Sequence, residues 1–214
     1  MTAAYYEDDY VTLYHGDCTE IVEWLSAEVL VTDPPYGIGY ATSHRPRSHP
    51  LAAPIANDTD TGVRDRAIEM WGDKPALVFG TWKAPRPMSV RQLLVWDKGD
   101  PGMGDLGLPW GPGSEEIYVM GDGWKGRRRS NVVRVPKLSA SSGKRPAHPT
   151  PKPVALMSEL LQCCPPGIIA DPFAGSGSTL RAAKDLGRRA IGVEIYEPYC
   201  DLAARVLSQE VLPI

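Results

Sequence analysis

The residues best suited to chemistry stand in the stretch VTDPPYGIGY, which follows an apolar run near the start of the chain. Asp33 ends the β-branched part of that run, and the next residues are Pro34, Pro35 and Tyr36. Each proline fixes φ and removes a backbone donor, so a carboxylate and carbonyl oxygens stand together as acceptors. The tyrosine ring beside them can stack on a planar ligand. The stretch therefore predicts a rigid, acceptor-rich corner at the end of a strand.

Such a corner could activate an exocyclic amino group on an aromatic base. The lone pair of that nitrogen is delocalised into the ring, which makes the group a poor nucleophile. If the Asp33 carboxylate and the Pro34 carbonyl each accept one N–H, the lone pair is localised and the charge developing on nitrogen is stabilised. The base must first leave its stack, and Tyr36 can replace the lost stacking. The alternative is an ordinary Asp-Pro turn.

A second stretch, DPFAGSGSTLRAAKDLG, has the pattern of a strand end, a glycine-rich turn and a helix. Gly175 and Gly177 permit close backbone approach. Ser178 or Thr179 can cap the helix, whose first amides would then face an anion or a carboxylate. The next apolar run ends in Glu194, close to the spacing of about 20 residues at which an acid binds ribose hydroxyls in Rossmann-like sheets. The stretch predicts a ligand site.

The kind of ligand follows from what this loop lacks. Position 180 is Leu, where a dinucleotide-binding loop has its third glycine, and no GK[ST] ending of a phosphate-binding loop is present. A ligand with ribose but no pyrophosphate remains, and S-adenosylmethionine fits. The alternative is a glycine turn that serves only strand-to-helix packing. Asp171 and Glu194, each at a predicted strand end, weigh against that alternative.

Alternating strands and helices must position these two stretches. Apolar, β-branched runs predict strands at 11–15, 28–33, 75–80, 92–96, 115–120, 167–171 and 189–194. Helical patterns occur at 19–26, 63–72, 153–164, 178–186 and 198–209. Several strands are apolar on both faces, which is typical of a Rossmann-like α/β fold with a mostly parallel sheet and helices on both faces. With 214 residues, we expect one domain over 1–214.

Two long segments, 37–62 and 121–149, interrupt that alternation and are candidates for contact with a large ligand. No acid occurs between Asp122 and Glu159, although the net charge of the chain is -3. A solvated basic loop is one interpretation of this charge pattern, and a surface that meets phosphates is the other. The residues that would then contact nucleic acid are Lys125, Arg127, Arg128, Arg129, Lys144 and Arg145.

Other classes of protein are disfavoured by composition. No run approaches the roughly 18 apolar residues of a membrane span, and the first residues, MTAAYYEDDY, show no basic start followed by an apolar stretch. We therefore expect a cytoplasmic protein without a membrane partner. The 4 cysteines form no CxxC pair and have no paired His spacing, so we expect neither a metal site nor a disulfide framework.

The two motifs together resemble the β-class amino-group DNA methyltransferases. DPPY at 33–36 precedes DPFAGSGST at 171–179, and in that class the catalytic half comes first and the cofactor half last. The resemblance spans nearly the whole chain. It implies the S-adenosylmethionine-dependent methyltransferase fold with a circularly permuted motif order, and double-stranded DNA as the partner. It also implies catalytic roles for Asp33, Pro34, Pro35 and Tyr36.

The same resemblance assigns a cofactor pocket. GDC at 16–18 implies that Asp17 and Cys18 meet the cofactor's adenine, whereas a bland alternative is that Asp17 caps a helix. HPTPKP implies that Thr150 and Lys152 hold the methionine carboxylate, although the family often has Gln at position 151, where this chain has Pro. The remaining pocket residues would be Asp171, Phe173, Gly175, Ser176, Gly177, Thr179 and Glu194.

Three further features of the resemblance bear on the substrate: the recognition segment, the loop at 37–62 and the first residue of the DPPY motif. The target-recognition segment, about 123–147, is short for the family, which predicts a short or relaxed recognition site. The loop at 37–62 is expected to close as a mobile lid over a flipped base. Asp in the DPPY motif is more typical of adenine-N6 enzymes than of cytosine-N4 ones, so the resemblance implies methylation of adenine N6 in DNA, with cytosine N4 as the alternative.

Three further interpretations stay open at this point. One is methylation of RNA or of a protein side-chain amide. Another is a catalytically inactive relative that binds DNA. The third concerns partners, since the resemblance leaves open a homodimer and a cognate restriction enzyme from a restriction-modification system.

Overall fold

The computed structural model describes residues 2–39, 55–102, 104–137 and 151–209. Several predicted features lie outside these ranges. They are Lys144, Arg145 and Thr150, the central part of the predicted lid at 40–54, and the end of the predicted recognition segment from 138 onward.

The seven predicted strands are all present, and two short strands join them. The strands are β1 (Tyr6–Glu7), β2 (Val11–His15), β3 (Val29–Thr32), β4 (Ala76–Gly80), β5 (Gln92–Asp97), β6 (Ser114–Met120), β7 (Val132–Arg134), β8 (Ile169–Asp171) and β9 (Ala190–Glu194). The helices are α1 (Gly62–Trp71), α2 (Val154–Leu161), α3 (Ser178–Asp185) and α4 (Glu197–Leu207), with a 3₁₀ turn at Glu23–Ser26.

Within the described ranges these strands form one 9-stranded sheet in the order β1-β2-β9-β8-β3-β4-β6-β5-β7. The central strands β2, β9, β8, β3 and β4 are parallel. β6 is antiparallel to both of its neighbours, and β1 is antiparallel to β2. The carboxyl ends of the five central strands therefore meet at one edge of the sheet, and β6 begins at that same edge. The predicted α/β fold with a mostly parallel sheet is confirmed.

Two neighbouring strands diverge at the middle of the sheet. From β3 the chain passes through α1 to β4 on one side, whereas from β8 it passes through α3 to β9 on the other side. In open α/β sheets, ligands bind in the crevice outside the carboxyl ends of strands that diverge in this way. The end of β3 carries Asp33, and the end of β8 carries Asp171. Both sequence motifs therefore open into this crevice.

Helices cover both faces of the sheet, because the strand side chains alternate between two apolar clusters. On one face α2, α3 and α4 bury residues such as Leu156, Leu180 and Leu207. On the other face α1 and the 3₁₀ turn bury Trp71 and Trp24, whose rings stack with centroids 5.8 Å apart. Full burial of such side chains contributes roughly 2 kcal/mol each to folding, so each face has its own apolar core to hold the sheet rigid.

The helix predicted at 19–26 is wrong. The structure has a turn followed by the single 3₁₀ turn at Glu23–Ser26. Asp17 Oδ1 accepts the backbone N–H of Thr19 at 2.8 Å and the Thr19 hydroxyl at 2.7 Å. Such local side-chain bonds compete with helical backbone pairing. The indole of Trp24 also donates to the Cys18 carbonyl at 2.9 Å, which holds the segment folded back on itself.

The segment at 121–149, predicted as a loop throughout, contains a strand. β7 pairs in parallel with β5, with Val132 opposite Val95 and Arg134 opposite Asp97. The β-branched pair Val132 and Val133 fits a pleated edge, which explains the strand inside a basic segment. Over the described ranges, the chain has no helix long and apolar enough to cross a membrane.

Candidate active site

Asp33 begins the turn that leaves β3 and lies at the sheet edge, with its side chain 23% exposed. The turn is fixed from the far side by Asp58, whose buried Oδ1 accepts the N–H of Gly37 at 2.7 Å. The carbonyl of Asp58 accepts the N–H of Gly39 at 2.7 Å. The two prolines, Pro34 and Pro35, offer no N–H groups of their own. The predicted rigid corner is therefore held by bonds placed immediately after it.

Tyr36 is folded back onto Asp33. Its hydroxyl donates to Asp33 Oδ1 at 2.8 Å and lies 3.3 Å from Glu115 Oε2. Burial, followed by the two nearby carboxylates, raises the pKa of Tyr36 well above its usual value, so the phenol stays protonated and remains a donor. Tyr36 also lines the cavity described below, where an aromatic side chain can stack on a planar ligand.

The glycine-rich turn connects β8 to α3 through left-handed backbone. Gly175 has φ 52° and Gly177, the N-cap of α3, has φ 82°. A Cβ at position 177 would also lie 3.0 Å from the Cβ of Ala203 in α4, so glycine is required for both conformation and space. The prediction that Ser178 or Thr179 caps the helix is wrong, since glycine occupies the cap and no side chain bonds there. Thr179 instead bonds Asp171.

Asp171 is a buried carboxylate that joins the two motifs. Its Oδ1 accepts the Thr32 hydroxyl at 2.7 Å and the N–H of Phe173 at 3.2 Å. Burial raises the pKa of Asp171 to about 6, and the bonds from Thr179, Thr32 and Phe173 oppose part of that rise. The carboxylate therefore orders the start of the glycine turn from inside the sheet edge.

Glu194 lies on the other side of the same turn, at the end of β9. Its Oε2 accepts the N–H of Gly175 at 2.8 Å, and its Oε1 accepts the N–H of Tyr196 at 2.8 Å. Burial raises the pKa of Glu194, while these amide donors work against the rise. A carboxylate oxygen has two lone pairs, so each oxygen can accept one further hydrogen bond. The geometry is suited to a pair of ligand hydroxyl groups.

Asp17 and Cys18 follow β2, the neighbour of β9. Asp17 organises its own turn through Thr19 and also faces the cavity. Cys18 is buried, and its burial raises the thiol pKa to about 12. It is a free thiol in a packed position, which suits shape-complementary contact and not nucleophilic chemistry.

One cavity of about 820 Å³ joins these groups, within the usual range for small-molecule sites. The DPPY corner lies along one part of its wall, and the glycine turn and Glu194 lie along another. The predicted site residues that line it are Asp17, Cys18, Asp33, Pro34, Pro35, Tyr36, Lys152, Asp171, Phe173, Gly175, Ser176, Thr179 and Glu194. The structure thus brings both motifs to a single site.

Lys152 is positioned against the DPPY corner. Its Nζ lies 2.5 Å from Asp33 Oδ2 and 3.2 Å from Glu115 Oε2, and the side chain is 7% exposed. Glu115 also pairs with Lys98, at 2.6 Å. In the described part of the chain, no cluster of three or more His, Cys, Asp or Glu side chains could hold a metal ion.

Glu115, Lys98 and Asp58 are site residues that the sequence reasoning missed. The pattern of 115–120, EEIYVM, predicts a strand, but the sequence does not indicate where its two leading acids, Glu115 and Glu116, point. Only the antiparallel direction of β6 brings the beginning of that strand to the edge where the parallel strands end. An acid pair opening an otherwise apolar strand was the available signal.

The basic residues of the 123–137 region lie on the surface. Lys125, Arg127, Arg128 and Arg129 are all exposed. Arg129 pairs loosely with Glu159 on α2, at 3.6 Å. Exposed cations of this kind are suited to backbone phosphate, which needs charge without a fixed pocket.

The family model for DNA methylases, N6_N4_Mtase, matches residues 95–205, which is more than half of the chain. A putative methylase of Escherichia coli (strain K12), YubD, is 32% identical over 86% of the chain and 84% of its own length. The chain therefore belongs to the N6/N4 DNA methylase family. The Type II methyltransferase M.ScaI of Streptomyces caespitosus is 27% identical over 96% of the chain and 84% of its own length.

Solved structures share the fold. M1.HpyAVI, crystallised as a complex with SAM, superposes with a TM-score of 0.65 at 21% identity, covering 93% of this chain and 100% of that one. The cytosine-N4-specific PvuII DNA methyltransferase gives a TM-score of 0.69 at 12% identity, covering 99% of this chain and 91% of that one. These similarities support the methyltransferase fold and leave the target base open.

Proposed function

We propose that this DNA methyltransferase transfers a methyl group from S-adenosylmethionine to the N6 amino group of adenine in double-stranded DNA. The observation that carries the proposal is the shared cavity: Asp33, an acceptor at the end of β3, and Glu194, an acceptor beside the glycine turn, line the same 820 Å³ space. An amino group and a methyl donor could therefore meet inside it. Family membership supports the reaction class.

The cofactor end of the cavity suits S-adenosylmethionine. Glu194 offers acceptors to the ribose hydroxyls, and Asp17 and Phe173 provide a polar edge and an apolar surface for the adenine. Gly175, in the left-handed turn, lines the cavity and has no side chain to prevent close approach of the ligand to the backbone. When bound, the cofactor supplies an electrophilic methyl group. The relative M1.HpyAVI is described as a complex with SAM, which supports the assignment.

The chain's own residues act on the target base. The Asp33 carboxylate and the Pro34 carbonyl accept the two N–H bonds of the amino group, which localises its lone pair. Tyr36 supports the ring of the flipped base. The proton released after transfer leaves to an acceptor at this edge or to solvent. Exposed cations at Lys125 and in Arg127–Arg129 would hold the DNA backbone.

We propose adenine as the target in preference to cytosine because the DPPY motif begins with Asp, as is more typical of the adenine enzymes of this class. Cytosine N4 presents the same two hydrogens to the same acceptors and is the alternative. The choice of base, a short or relaxed recognition site, a homodimer and a cognate restriction enzyme all stay predictions.

The test is product analysis. The purified protein is incubated with unmethylated DNA and S-adenosylmethionine, the DNA is digested to nucleosides, and the product is identified by mass spectrometry. N6-methyladenine is the expected product, and N4-methylcytosine would contradict the choice of base. No methylated nucleoside from DNA, despite cofactor binding, would overturn the proposal, and RNA would then be tested in its place.

In Asp33→Ala the rate of methyl transfer should fall by about 100-fold or more, because the carboxylate that stabilises the charge developing on nitrogen is gone. Its affinity for the cofactor should change little, since Asp33 lies at the target end. The matched control is Asp9→Ala, an exposed aspartate before β2 at the opposite edge of the sheet. Retained turnover in Asp33→Ala would remove this residue from the mechanism.

A further inference from the structure

Two carboxylates share one buried ammonium group at the target end of the cavity. Lys152 Nζ lies 2.5 Å from Asp33 Oδ2 and 3.2 Å from Glu115 Oε2. Glu115 in turn receives a second cation, Lys98, at 2.6 Å. The four charges balance, and they come from the turn after β3, the start of β6, the end of β5 and the segment before α2.

Each oxygen of Asp33 has one hydrogen-bond partner in this cluster. Lys152 binds one of its oxygens, and the Tyr36 hydroxyl donates to the other at 2.8 Å. A carboxylate has about four lone-pair positions, so it can still accept an N–H from a base while keeping these two bonds. The two bonds then fix the direction of the remaining lone pairs. The orientation of this acceptor therefore depends on one neighbour in sequence, Tyr36, and on one residue 119 positions away, Lys152.

The placement of Lys152 differs from the role that the resemblance implies. A lysine that holds a cofactor carboxylate should direct its ammonium toward the glycine turn. Here the ammonium points instead to Asp33 and Glu115, and it lies 5.0 Å from the ring centroid of Phe79 and 5.6 Å from that of Tyr36. Little of the side chain reaches solvent, so two carboxylates and two rings define its position.

We propose that Glu115 and Lys152 are positioning residues for Asp33: Lys152 holds the carboxylate ionised and oriented to accept the target amino group, and Glu115 holds Lys152 in place. The inference rests on the proposed function and extends it to residues that the motifs do not identify. Glu115 prevents Lys152 from pairing with Asp33 alone, and Lys98 neutralises the charge that Glu115 adds. Lys152 therefore favours the charged form of Asp33, and its sharing between two carboxylates leaves a lone pair of Asp33 free for the base.

The charged groups around Asp33 shift its pKa in opposite directions. Burial raises the pKa of Asp33, Lys152 lowers it and Glu115 raises it, and the net result is a pKa above the usual value for an aspartate. Burial lowers the pKa of Lys152, but Asp33 and Glu115 outweigh burial and hold it above its usual value. Tyr36, on the same turn, donates to Asp33, and Asp171 on β8 adds a like charge nearby. Removing Lys152 or Glu115 must therefore move the titration of Asp33 in opposite directions.

The decisive measurement is the ¹³C resonance of the Asp33 carboxyl carbon against pH, in protein labelled at aspartate and without DNA or cofactor. The resonance is assigned by its loss in Asp33→Asn. Lys152→Met should raise the pKa of Asp33 by about one unit or more, and Lys152→Arg should restore it toward the wild-type value. Glu115→Gln should lower it. Glu116→Gln is the matched control, because the Glu116 carboxylate pairs with Arg86 at 2.7 Å, and it should leave the pKa of Asp33 unchanged.

The kinetic counterpart is the single-turnover rate of DNA methylation against pH at saturating substrates. Its acidic limb should shift upward in Lys152→Met and downward in Glu115→Gln, with the affinity for S-adenosylmethionine within about threefold of wild type. If Lys152→Met weakens cofactor binding tenfold and leaves the titration of Asp33 unchanged, Lys152 holds the cofactor and the proposal is wrong.

Two further outcomes are separable. If Lys152→Met does not fold, Glu115→Gln is the deciding variant. A lowered pKa of Asp33 in Glu115→Gln supports the inference, and an unchanged or raised pKa contradicts it. If the wild type methylates no DNA, the proposed function fails, whereas the carboxyl titration still reports on positioning, because it needs neither substrate.

Discussion

The Thr32 hydroxyl donates to Asp171 Oδ1 at 2.7 Å, and this bond joins the strand before the DPPY corner to the strand before the glycine turn. The two residues are 139 positions apart. Both are buried at the point where β3 and β8 diverge. The relative position of the two halves of the site is therefore fixed by a bond between neighbouring strand ends.

Thr32→Val should lower the free energy of unfolding by about 1 to 2 kcal/mol, since the change leaves a buried carboxylate with one donor fewer. Urea unfolding followed by circular dichroism measures it. The control is Thr12→Val in β2, a half-buried threonine on a strand away from the motif. Equal stability of the two variants would mean that the Thr32 bond contributes nothing net.

Asp171 should make stability depend on pH. Its pKa is about 6 in the folded protein and near 3.8 when unfolded, so the folded state holds the proton more tightly. As pH rises from about 3 to about 7, through both pKa values, the free energy of unfolding should fall because of this group, by up to about 3 kcal/mol, and then level off. Asp171→Asn removes the titration. The stability of Asp171→Asn relative to wild type should therefore increase across that range, and a constant difference would contradict the assigned pKa.

Glu194→Ala should weaken binding of S-adenosylmethionine by tenfold or more, because two hydrogen bonds to a charged acceptor disappear. Isothermal titration calorimetry gives the dissociation constants. The change also removes the acceptor for Gly175 and Tyr196, so a cofactor analogue without ribose hydroxyls is the control ligand. The weakening should be smaller for that analogue. Equal weakening for both ligands would place the ribose elsewhere.

The exposed arginines should determine how DNA binding responds to salt. Replacing Arg127 and Arg128 with Ala should reduce the slope of log affinity against log salt by about 0.9 for each DNA phosphate that the protein no longer neutralises. Arg129→Ala should have a weaker effect, because this residue is partly paired with Glu159. Arg66→Ala on α1 is the control, as an exposed arginine outside the basic segment that pairs with Glu69 at 2.7 Å. An unchanged slope in the double variant would locate the DNA on another surface.

The local sequence pattern by itself determined most of the strands and the position of both motifs. Strands with apolar, β-branched residues were identifiable because burial on both faces of a parallel sheet leaves continuous runs. DPPY and the glycine turn were identifiable because prolines and glycines restrict or release φ at the residue that carries them. Their place at strand ends, and hence at one sheet edge, followed from the alternation of strands and helices. The prediction of a helix at 19–26 was wrong because the Asp17 side chain accepts the backbone N–H of Thr19 and so competes with helical hydrogen bonding.

The tertiary structure alone decided which distant side chains meet. Lys152 reaches Asp33 across 119 positions, and Thr32 reaches Asp171 across 139. Glu115 joins the site only because β6 runs antiparallel and starts where its neighbours end. Strand order and direction are set by the packing of the whole sheet, and no local sequence signal encodes them. The sequence therefore determined the chemistry at each strand end, whereas the fold determined which charges surround it.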